Sequence, residues 1–344
     1  MRSRPFVSFM VFLASVTSVG VLGPVPSAFA EPGAFDLQAH RGGRGETTEE
    51  SLRAFSKALE LGVSTLELDI VLTKDNQPMV WHDPTVDPTK CADTAPAFPG
   101  DPQYPYVGKL VHDLTIAQVH TLDCGKLLPT FPKAEVVKHN KIATLPELFA
   151  LADSYRANVR YNIETKVEAE HPENSATPQE FVDVILPVIR AAGKLDKVEI
   201  QSFDWRSLPL VRQQEPSIPL VALWDDTTWV PDSPWLAGVN PGVVGDPITG
   251  ATMVGANILS PGYSAPTGLT PKDPNFKLVA DKAFIDRAHA LGLQVIPWTI
   301  DDAEVMRLQI AAGADGIITD YPTMLRNVMA KLGMPLPPAY HRVS

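Results

Sequence analysis

The chain has little positive charge, few cysteines and, after its first thirty residues, no long apolar run. Its 29 Lys and Arg residues are outnumbered by 40 Asp and Glu residues, which gives a formal net charge of −11 at pH 7. Such an acidic surface argues against nucleic acid or an anionic membrane as a main partner. No Gly-x-Gly-x-x-Gly motif follows any apolar run, so a dinucleotide-binding fold has no support.

Cysteine is confined to Cys91 and Cys124. Neither has another cysteine or a histidine at zinc-finger spacing, so two free thiols in a metal site are not favoured. An even, low count in an exported chain instead predicts one disulfide between them. A bridge across this 33-residue separation corresponds to roughly 3–4 kcal/mol of stabilisation.

The first thirty residues have the features of a secretory signal peptide. Arg2 and Arg4 precede an apolar run over about residues 6–21, and Ala28-Phe29-Ala30 is a small-x-small cleavage pattern. A membrane anchor is the alternative, but the run is short for a bilayer span, and no later segment is long and apolar enough to span. We therefore expect a secreted or periplasmic protein, cleaved near Ala30, without a stable membrane anchor. Nothing in the sequence indicates an oligomeric state.

Short apolar runs alternate with helical patterns along the rest of the chain. This alternation is typical of a parallel sheet covered by helices. About eight such units favour one closed, irregular TIM (β/α)8 barrel over residues 31–344. The predicted strands are 37–40, 65–71, 78–82, 159–164, 198–202, 220–223, 257–260, 295–299 and 316–319; the predicted helices are 49–61, 145–152, 179–192, 205–214, 281–291, 303–312 and 323–332.

Three segments depart from a simple barrel. The nine predicted strands exceed eight barrel positions, and only residues 74–77 separate the second from the third, so their connection is an extended crossover or a hairpin. Residues 84–144 are rich in Pro, Asp and Thr, and we interpret them as an insertion after the third strand. Residues 224–275 carry Trp229 and Trp235 among many Gly and Pro, which indicates either a lid or binding wall or a packed surface loop.

Acidic residues stand at the ends of two predicted strands. Glu67 and Asp69 are two residues apart on a strand, so their side chains point to the same face. Two inward carboxylates repel each other unless a cation lies between them. Glu164 ends another strand as a candidate third ligand, and all-oxygen ligation suits Mg²⁺ or Ca²⁺. In the alternative interpretation the pair points outward to solvent. Lys166 shares the face of Glu164 and is a candidate phosphate contact.

Two of the eight histidines, His40 and His82, each end a predicted strand. Strand ends form the active face of this kind of barrel. Two imidazoles beside a phosphodiester can divide the work: one accepts a proton from the attacking hydroxyl and the other protonates the leaving oxygen. Arg41 would bring a fork of donors toward a phosphate. Glu49 would support Arg41 or His40, or it is an acidic residue at the start of a helix.

Two further strand ends carry candidate pocket residues. Gln201 lies in Gln201-Ser202-Phe203, and Trp298 lies near the end of residues 295–299. Both could line the same pocket, although core packing is the default role for Trp298.

At these motifs the chain resembles the glycerophosphodiester phosphodiesterase family. The resemblance runs from about Asp36 to Leu332, and the order of the motifs makes it specific. The matching stretches are His40-Arg41-Gly42, Leu66-Glu67-Leu68-Asp69, Val80-Trp81-His82-Asp83-Pro84, Ile163-Glu164-Thr165-Lys166, Gln201-Ser202-Phe203, Trp298-Thr299 and Gly313-Ala314-Asp315-Gly316-Ile317-Ile318-Thr319-Asp320-Tyr321-Pro322.

The resemblance implies hydrolysis of small glycerophosphodiesters to sn-glycerol 3-phosphate and an alcohol. It implies His40 and His82 as the acid and base, Arg41 and Lys166 as phosphate contacts, and one Ca²⁺ or Mg²⁺ held by Glu67, Asp69 and Glu164. The insertion would shape the glycerol side of the pocket. A sphingomyelinase D-like or phosphatidylinositol-type phospholipase acting on intact lipid, with Trp229 and Trp235 as an apolar rim, is the alternative on the same barrel.

The chain departs from the family pattern at two places. Thr48-Glu49-Glu50-Ser51 stands where the family has Pro-Glu-Asn-Thr, and Asp301 stands where it has an Asn after Trp-Thr-x. Neither change affects the proposed ligands or histidines, so we expect them to influence substrate choice rather than catalysis.

Overall fold

A computed structural model describes residues 34–342, and the predicted signal peptide lies outside them. No helix in that range is long and apolar enough to cross a membrane. The strands are β1 (Asp36–Ala39), β2 (Thr65–Leu72), β3 (Pro78–Val80), β4 (Arg160–Thr165), β5 (Val198–Ser202), β6 (Leu220–Trp224), β7 (Ile258–Pro261), β8 (Gln294–Val295) and β9 (Gly316–Thr319). The α-helices are α1 (Leu52–Leu61), α2 (Ile116–Val119), α3 (Leu145–Ser154), α4 (Pro178–Ala191), α5 (Ser207–Gln214), α6 (Pro241–Val244), α7 (Pro247–Met253), α8 (Lys282–Ala290), α9 (Ala303–Ala312) and α10 (Pro322–Lys331).

Eight parallel strands form a nearly closed barrel, which confirms the predicted fold class. Their order is β8-β7-β6-β5-β4-β2-β1-β9. Backbone hydrogen bonds join the two ends of this series, from Asp315 N to Val295 O at 2.9 Å and from Ile318 N to Pro297 O at 3.1 Å. Because all eight strands run the same way, their carboxyl ends meet at one face of the molecule.

The strand β3 resolves the excess of predicted strands. It pairs antiparallel with β2, with Ile70 opposite Val80, so the two form a hairpin and β3 is not one of the eight barrel strands. The prediction that His82 ends a barrel strand was therefore wrong. His82 reaches the active face by another route: the amide of Trp81 donates to the carbonyl of Asp69 at 3.1 Å, which holds the next residue beside the end of β2.

The helix α1 begins three residues later than predicted. Ser51 is its N-cap, and the Ser51 Oγ accepts a hydrogen bond from the amide of Ala54 at 3.0 Å. Glu50 has a φ of 52°, a left-handed conformation that cannot belong to the first helical turn. Glu49 and Glu50 are therefore loop residues turned toward the barrel mouth, not acidic residues at the helix dipole.

The insertion at residues 84–144 forms a second apolar cluster, in which Val86, Tyr106 and Leu122 pack together with Val71 and Met79 of the β2–β3 hairpin. A disulfide joins Cys91 to Cys124 within it. The chain leaves and re-enters the barrel at neighbouring points, because the amide of Val80 donates to the carbonyl of Ala143 at 2.7 Å. The insertion is therefore anchored at the carboxyl end of β2, on the active face.

Residues 224–275 are more ordered than a long open loop. They contain α6, α7 and β7. Trp229 packs against Trp205, with ring centroids 5.9 Å apart, and both Trp229 and Trp235 are partly buried against the main core. The two tryptophans therefore do not form an exposed apolar rim for lipid chains.

Candidate active site

Three carboxylates converge at the carboxyl ends of two neighbouring strands. Asp69 on β2 is the register partner of Glu164 on β4, and Glu67 precedes Asp69 by two residues on the same face. One oxygen from each lies within 4.8 Å of the others, and all three side chains are buried. Leu66 and Leu68, which alternate with the two acidic residues along the strand, pack into the main hydrophobic core, so the predicted inward orientation of the acidic pair is what the structure shows.

The donors around these carboxylates leave part of the cluster available to a ligand. Glu67 accepts hydrogen bonds from the backbone amide of Arg41 at 2.8 Å and from Gln201 Nε2 at 2.7 Å. Glu164 accepts one from Lys166 Nζ at 2.8 Å. Neither oxygen of Asp69 accepts a hydrogen bond from the described residues. Arg41 forms an ion pair with Asp69, but buried carboxylate oxygens that accept no hydrogen bond are suitable ligands for a hard divalent cation.

Burial and charged neighbours shift the pKa values of the three carboxyl groups in different directions. Burial, reinforced by Asp69, raises the pKa of Glu67 well above its usual range. Burial likewise raises the pKa of Glu164 to about 8, although Lys166 opposes the shift. Burial alone would raise the pKa of Asp69 as well, but His82 and Arg41 lower it far below its usual value. A cation between the carboxylates would favour all three charged forms.

Each predicted catalytic histidine is fixed by a carboxylate on its Nδ1 atom. His40 Nδ1 lies 2.5 Å from Asp320 Oδ1, and His82 Nδ1 lies 2.8 Å from Asp83 Oδ1. In the neutral ring this partner holds the proton on Nδ1, so Nε2 carries the free lone pair. Both rings line one cavity together with Glu67 and Glu164, and Asp69 lies beside these two carboxylates. The structure therefore brings the two imidazoles and the carboxylates into a single mouth.

Burial disfavours the protonated form of both imidazoles. It lowers the pKa of His40, with Asp320 opposing the shift, and it lowers the pKa of His82 to about 3, with Lys166 and Arg41 adding to the effect. These cations favour an anion in the cavity. A bound phosphate monoanion would counter their charge and shift both histidines back toward protonation.

Arg41 lies in a left-handed turn between β1 and α1, with a φ of 50°. Its Nε is 3.1 Å from Asp69 Oδ2, and its Nη1 is 3.5 Å from Glu49 Oε2. These buried carboxylates outweigh the burial penalty and raise the pKa of the guanidinium. Glu49 thus lies behind Arg41, as one of the two predicted interpretations required. A left-handed backbone conformation is uncommon for arginine, and contacts with the surrounding residues must stabilise it here.

The cavity at the barrel mouth has a volume of about 150 Å³. Gln201 and Trp298 line it as predicted, and Phe203 adds a third side chain to that wall, with its ring 5.3 Å from the ring of Trp298. Trp298 Nε1 donates to the carbonyl of Ser260 at 3.0 Å, which fixes the indole. The complete lining is His40, Arg41, Arg44, Glu67, His82, Glu164, Lys166, Gln201, Phe203, Leu223, Trp298, Thr299 and Ile318.

Several polar residues of this site were not among the predicted ones. Asp83 and Asp320 hold the histidines, and both occur inside the quoted motifs, immediately after His82 and after Thr319. Arg44 donates from Nε to Asp320 at 2.9 Å and lines the cavity. Glu50 accepts a hydrogen bond from the amide of Asp69 at 3.0 Å. Lys90 lies in the insertion, where no hydrophobic periodicity of the sequence predicts its position.

Replacing Asp320 by asparagine is expected to lower kcat by about 10–100-fold, with a much smaller change in KM. The amide keeps the shape but loses the charge that holds the His40 ring in one tautomer. Asp315→Asn is the matched control, because Asp315 pairs with His289 at 2.9 Å outside the cavity. Steady-state kinetics of the two variants test this, and equal kcat values for Asp320→Asn and wild type would contradict it.

The fold and the site define a hydrolase of the barrel phosphodiesterase type, with paired histidines facing an acidic cluster and a cation-rich cavity. Residues 40–324 match the model of the glycerophosphoryl diester phosphodiesterase family, and the chain belongs to that family. It is therefore an enzyme, a phosphoric diester hydrolase. This confirms the resemblance found at the motifs.

Individual proteins and solved structures that are similar to this chain support the same family assignment. A glycerophosphodiester phosphodiesterase of Caldanaerobacter subterraneus subsp. tengcongensis is 28% identical over 86% of this chain and 98% of its own length. One from Bacillus subtilis is 27% identical over 95% of this chain and 94% of its own. A solved Silicibacter pomeroyi structure, assigned as a glycerophosphoryl diester phosphodiesterase, has 25% identity and a TM-score of 0.71, covering 90% and 97% of the two chains. An Oleispira antarctica phosphodiesterase solved with the product sn-glycerol-3-phosphate has 19% identity and a TM-score of 0.61, covering 86% and 96%.

Proposed function

We propose that the protein hydrolyses glycerophosphodiesters to sn-glycerol 3-phosphate and an alcohol, using His40 and His82 as acid and base with a divalent cation. The observation that carries the proposal is the convergence of both histidines, each held at Nδ1 by a carboxylate, on the cavity that Glu67 and Glu164 of the acidic cluster also line. The bound product of the Oleispira antarctica relative supports the glycerol phosphate half of the substrate.

Glu67, Asp69 and Glu164 would hold the cation, Ca²⁺ or Mg²⁺. Their oxygens lie close together, and Asp69 accepts no hydrogen bond from the described residues, so the donor set fits an oxygen-binding ion. When bound, such an ion supplies charge neutralisation to the non-bridging oxygens of a phosphodiester.

The two imidazoles would move the protons of the reaction. One accepts at Nε2 the proton of the attacking hydroxyl, from water or from the glycerol 2-hydroxyl, as its oxygen forms a bond to phosphorus; in the second case a water molecule then opens the cyclic phosphate by the same proton exchange. The other donates its Nε2 proton to the oxygen of the departing alcohol as the phosphorus–oxygen bond breaks. Arg41 and Lys166 contribute fixed positive charge for the phosphate, since both line the cavity.

The cavity favours small, deacylated substrates. Its volume of about 150 Å³ suits a glycerol phosphate group rather than a diacyl lipid. Trp229 is packed against Trp205, which removes it from the apolar rim that a phospholipase acting on intact lipid needs. Within this class, Gln201 and Trp298 are assigned to contact the substrate because they form one wall of the cavity. Export, which the N-terminal sequence indicates, would give the enzyme extracellular or periplasmic substrates.

Phosphorus NMR of the products tests the proposal directly. The protein is incubated with glycerophosphocholine, glycerophosphoethanolamine, glycerophosphoglycerol and a diacyl phosphatidylcholine, with Ca²⁺ or Mg²⁺. We expect sn-glycerol 3-phosphate from the deacylated compounds. Faster turnover of the diacyl lipid, or release of a different phosphate product from every substrate, would contradict it.

A further inference from the structure

Lys90, in the insertion, lies between two acidic residues of the active site. Its Nζ atom is 2.5 Å from Glu49 Oε1 and 2.5 Å from Asp83 Oδ2. The Lys90 side chain is only 11% exposed, so these ion pairs are largely shielded from water. A buried cation shared by two carboxylates is strongly constrained in position, because moving it leaves two charges uncompensated.

Each of these carboxylates leads to a different functional side chain. Asp83 Oδ1 holds His82 Nδ1 at 2.8 Å, while its other oxygen faces Lys90. Glu49 Oε2 lies 3.5 Å from Arg41 Nη1, while its other oxygen faces Lys90. The ammonium group is thus the junction of two chains of contacts, one ending at a catalytic imidazole and the other at a phosphate-binding guanidinium.

The backbone of the insertion holds this lysine in place. The Lys90 carbonyl accepts a hydrogen bond from the amide of Lys126 at 3.2 Å, and the Lys90 amide donates to Asp87 at 3.1 Å. The next residue is Cys91, which is bonded to Cys124. The ammonium group of Lys90 also lies 5.1 Å from the centre of the Trp81 ring, a cation–π contact. The lysine therefore belongs to an ordered part of the insertion.

We propose that Lys90 is a positioning residue that sets the orientations of His82 and Arg41 together, through Asp83 and Glu49. It is not among the residues that line the active-site cavity. The inference rests on the proposed function, because it assigns a role to Lys90 in the reaction of that site. It also gives the insertion a catalytic contribution beyond shaping the pocket.

Removal of the ammonium group is expected to disturb chemistry more than substrate binding. Lys90→Met keeps the length of the side chain but leaves Glu49 and Asp83 without their shared cation. Glu49 then competes more strongly for Arg41, and Asp83 loses the charge that fixes its orientation toward His82. We expect kcat to fall at least tenfold in cation-saturated enzyme, KM to change less than threefold, and Lys90→Arg to restore a substantial part of kcat.

Kinetics with glycerophosphocholine on four full-length proteins test the proposal: wild type, Lys90→Met, Lys90→Arg and Lys109→Met. Lys109 is the matched control, since it belongs to the same insertion and its Nζ donates to Gln103 at 3.0 Å. Thermal unfolding of each variant shows whether it is folded. A folded Lys90→Met protein with wild-type kcat would overturn the proposal, as would equal losses in Lys90→Met and Lys109→Met.

A second set of variants separates positioning from general weakening of the fold. Lys90→Met is added to a Glu49→Gln, Asp83→Asn background, where the carboxylates it acts through are already neutral. If Lys90 acts through them, the added substitution causes little further loss of kcat. A loss of kcat as large as that in the wild-type background would show that Lys90 does not act through Glu49 and Asp83. If the wild type hydrolyses no glycerophosphodiester at all, the proposed function itself fails, which is a distinct outcome.

Discussion

Replacement of either His40 or His82 by alanine is expected to lower kcat by roughly 10²–10⁴-fold, the contribution usual for a positioned acid or base. These are the two histidines that line the cavity, and each presents Nε2 because its Nδ1 is held by a carboxylate. No other imidazole is placed to take over within the described lining of the cavity. KM should change far less, since Arg41 and Lys166 remain to bind the phosphate.

The double variant sharpens this expectation. If the two rings act in one concerted proton transfer, the loss in His40→Ala, His82→Ala is much smaller than the product of the single losses. His171→Ala is the control, because that ring is 65% exposed and pairs with Glu173 on the surface. Initial rates of product release over a panel of enzyme concentrations provide the measurement. Full activity in the double variant would reject the assigned roles.

Removal of divalent cations is expected to lower the rate by at least about a hundredfold, since several kcal/mol of charge stabilisation is lost. Dialysis against EDTA, then addition of Ca²⁺ or Mg²⁺ separately, identifies the ion that restores activity. EGTA distinguishes the two further, because it binds Ca²⁺ much more tightly than Mg²⁺. A chelated protein with undiminished activity would contradict the proposed site.

Cation binding should also be visible without catalysis. An ion that binds the folded state alone raises the unfolding temperature with its concentration. We expect this increase in the wild type and in Glu170→Gln, whose substitution lies on the exposed surface. It should disappear in Asp69→Asn, which removes one charge from the centre of the cluster. An equal increase in all three proteins would place the ion elsewhere.

The barrel and its acidic cluster could be predicted because they follow from local patterns. Apolar strands between amphipathic helices indicate a parallel sheet, and the two-residue spacing of Glu67 and Asp69 predicts a shared face. Glu164 and Gln201 could be placed for the same reason, since each stands near the carboxyl end of a strand. In parallel strands those ends meet, whatever the intervening sequence contains.

The hairpin and the partners of the histidines could not be predicted in the same way. The residues of β3 are as apolar as those of a barrel strand, so composition does not distinguish an antiparallel partner from a ninth parallel strand. His82 was predicted as a catalytic residue, but for a wrong structural reason. Asp320 lies 280 residues from His40 in the chain, and Lys90 lies in a stretch without periodicity; only the folded barrel brings such residues together.

The neighbouring entry and exit points of the insertion make residues 84–144 exchangeable in principle. Because Val80 and Ala143 are hydrogen-bonded, the two ends of the insertion lie close together, and a segment of different length and composition could be grafted after Asp83 with His82 and Asp83 kept in place. Head-group preference could then be varied by loop transfer while the barrel stays constant. Such a chimaera would lack Lys90, so a donor segment would need a basic side chain delivered to the same spot.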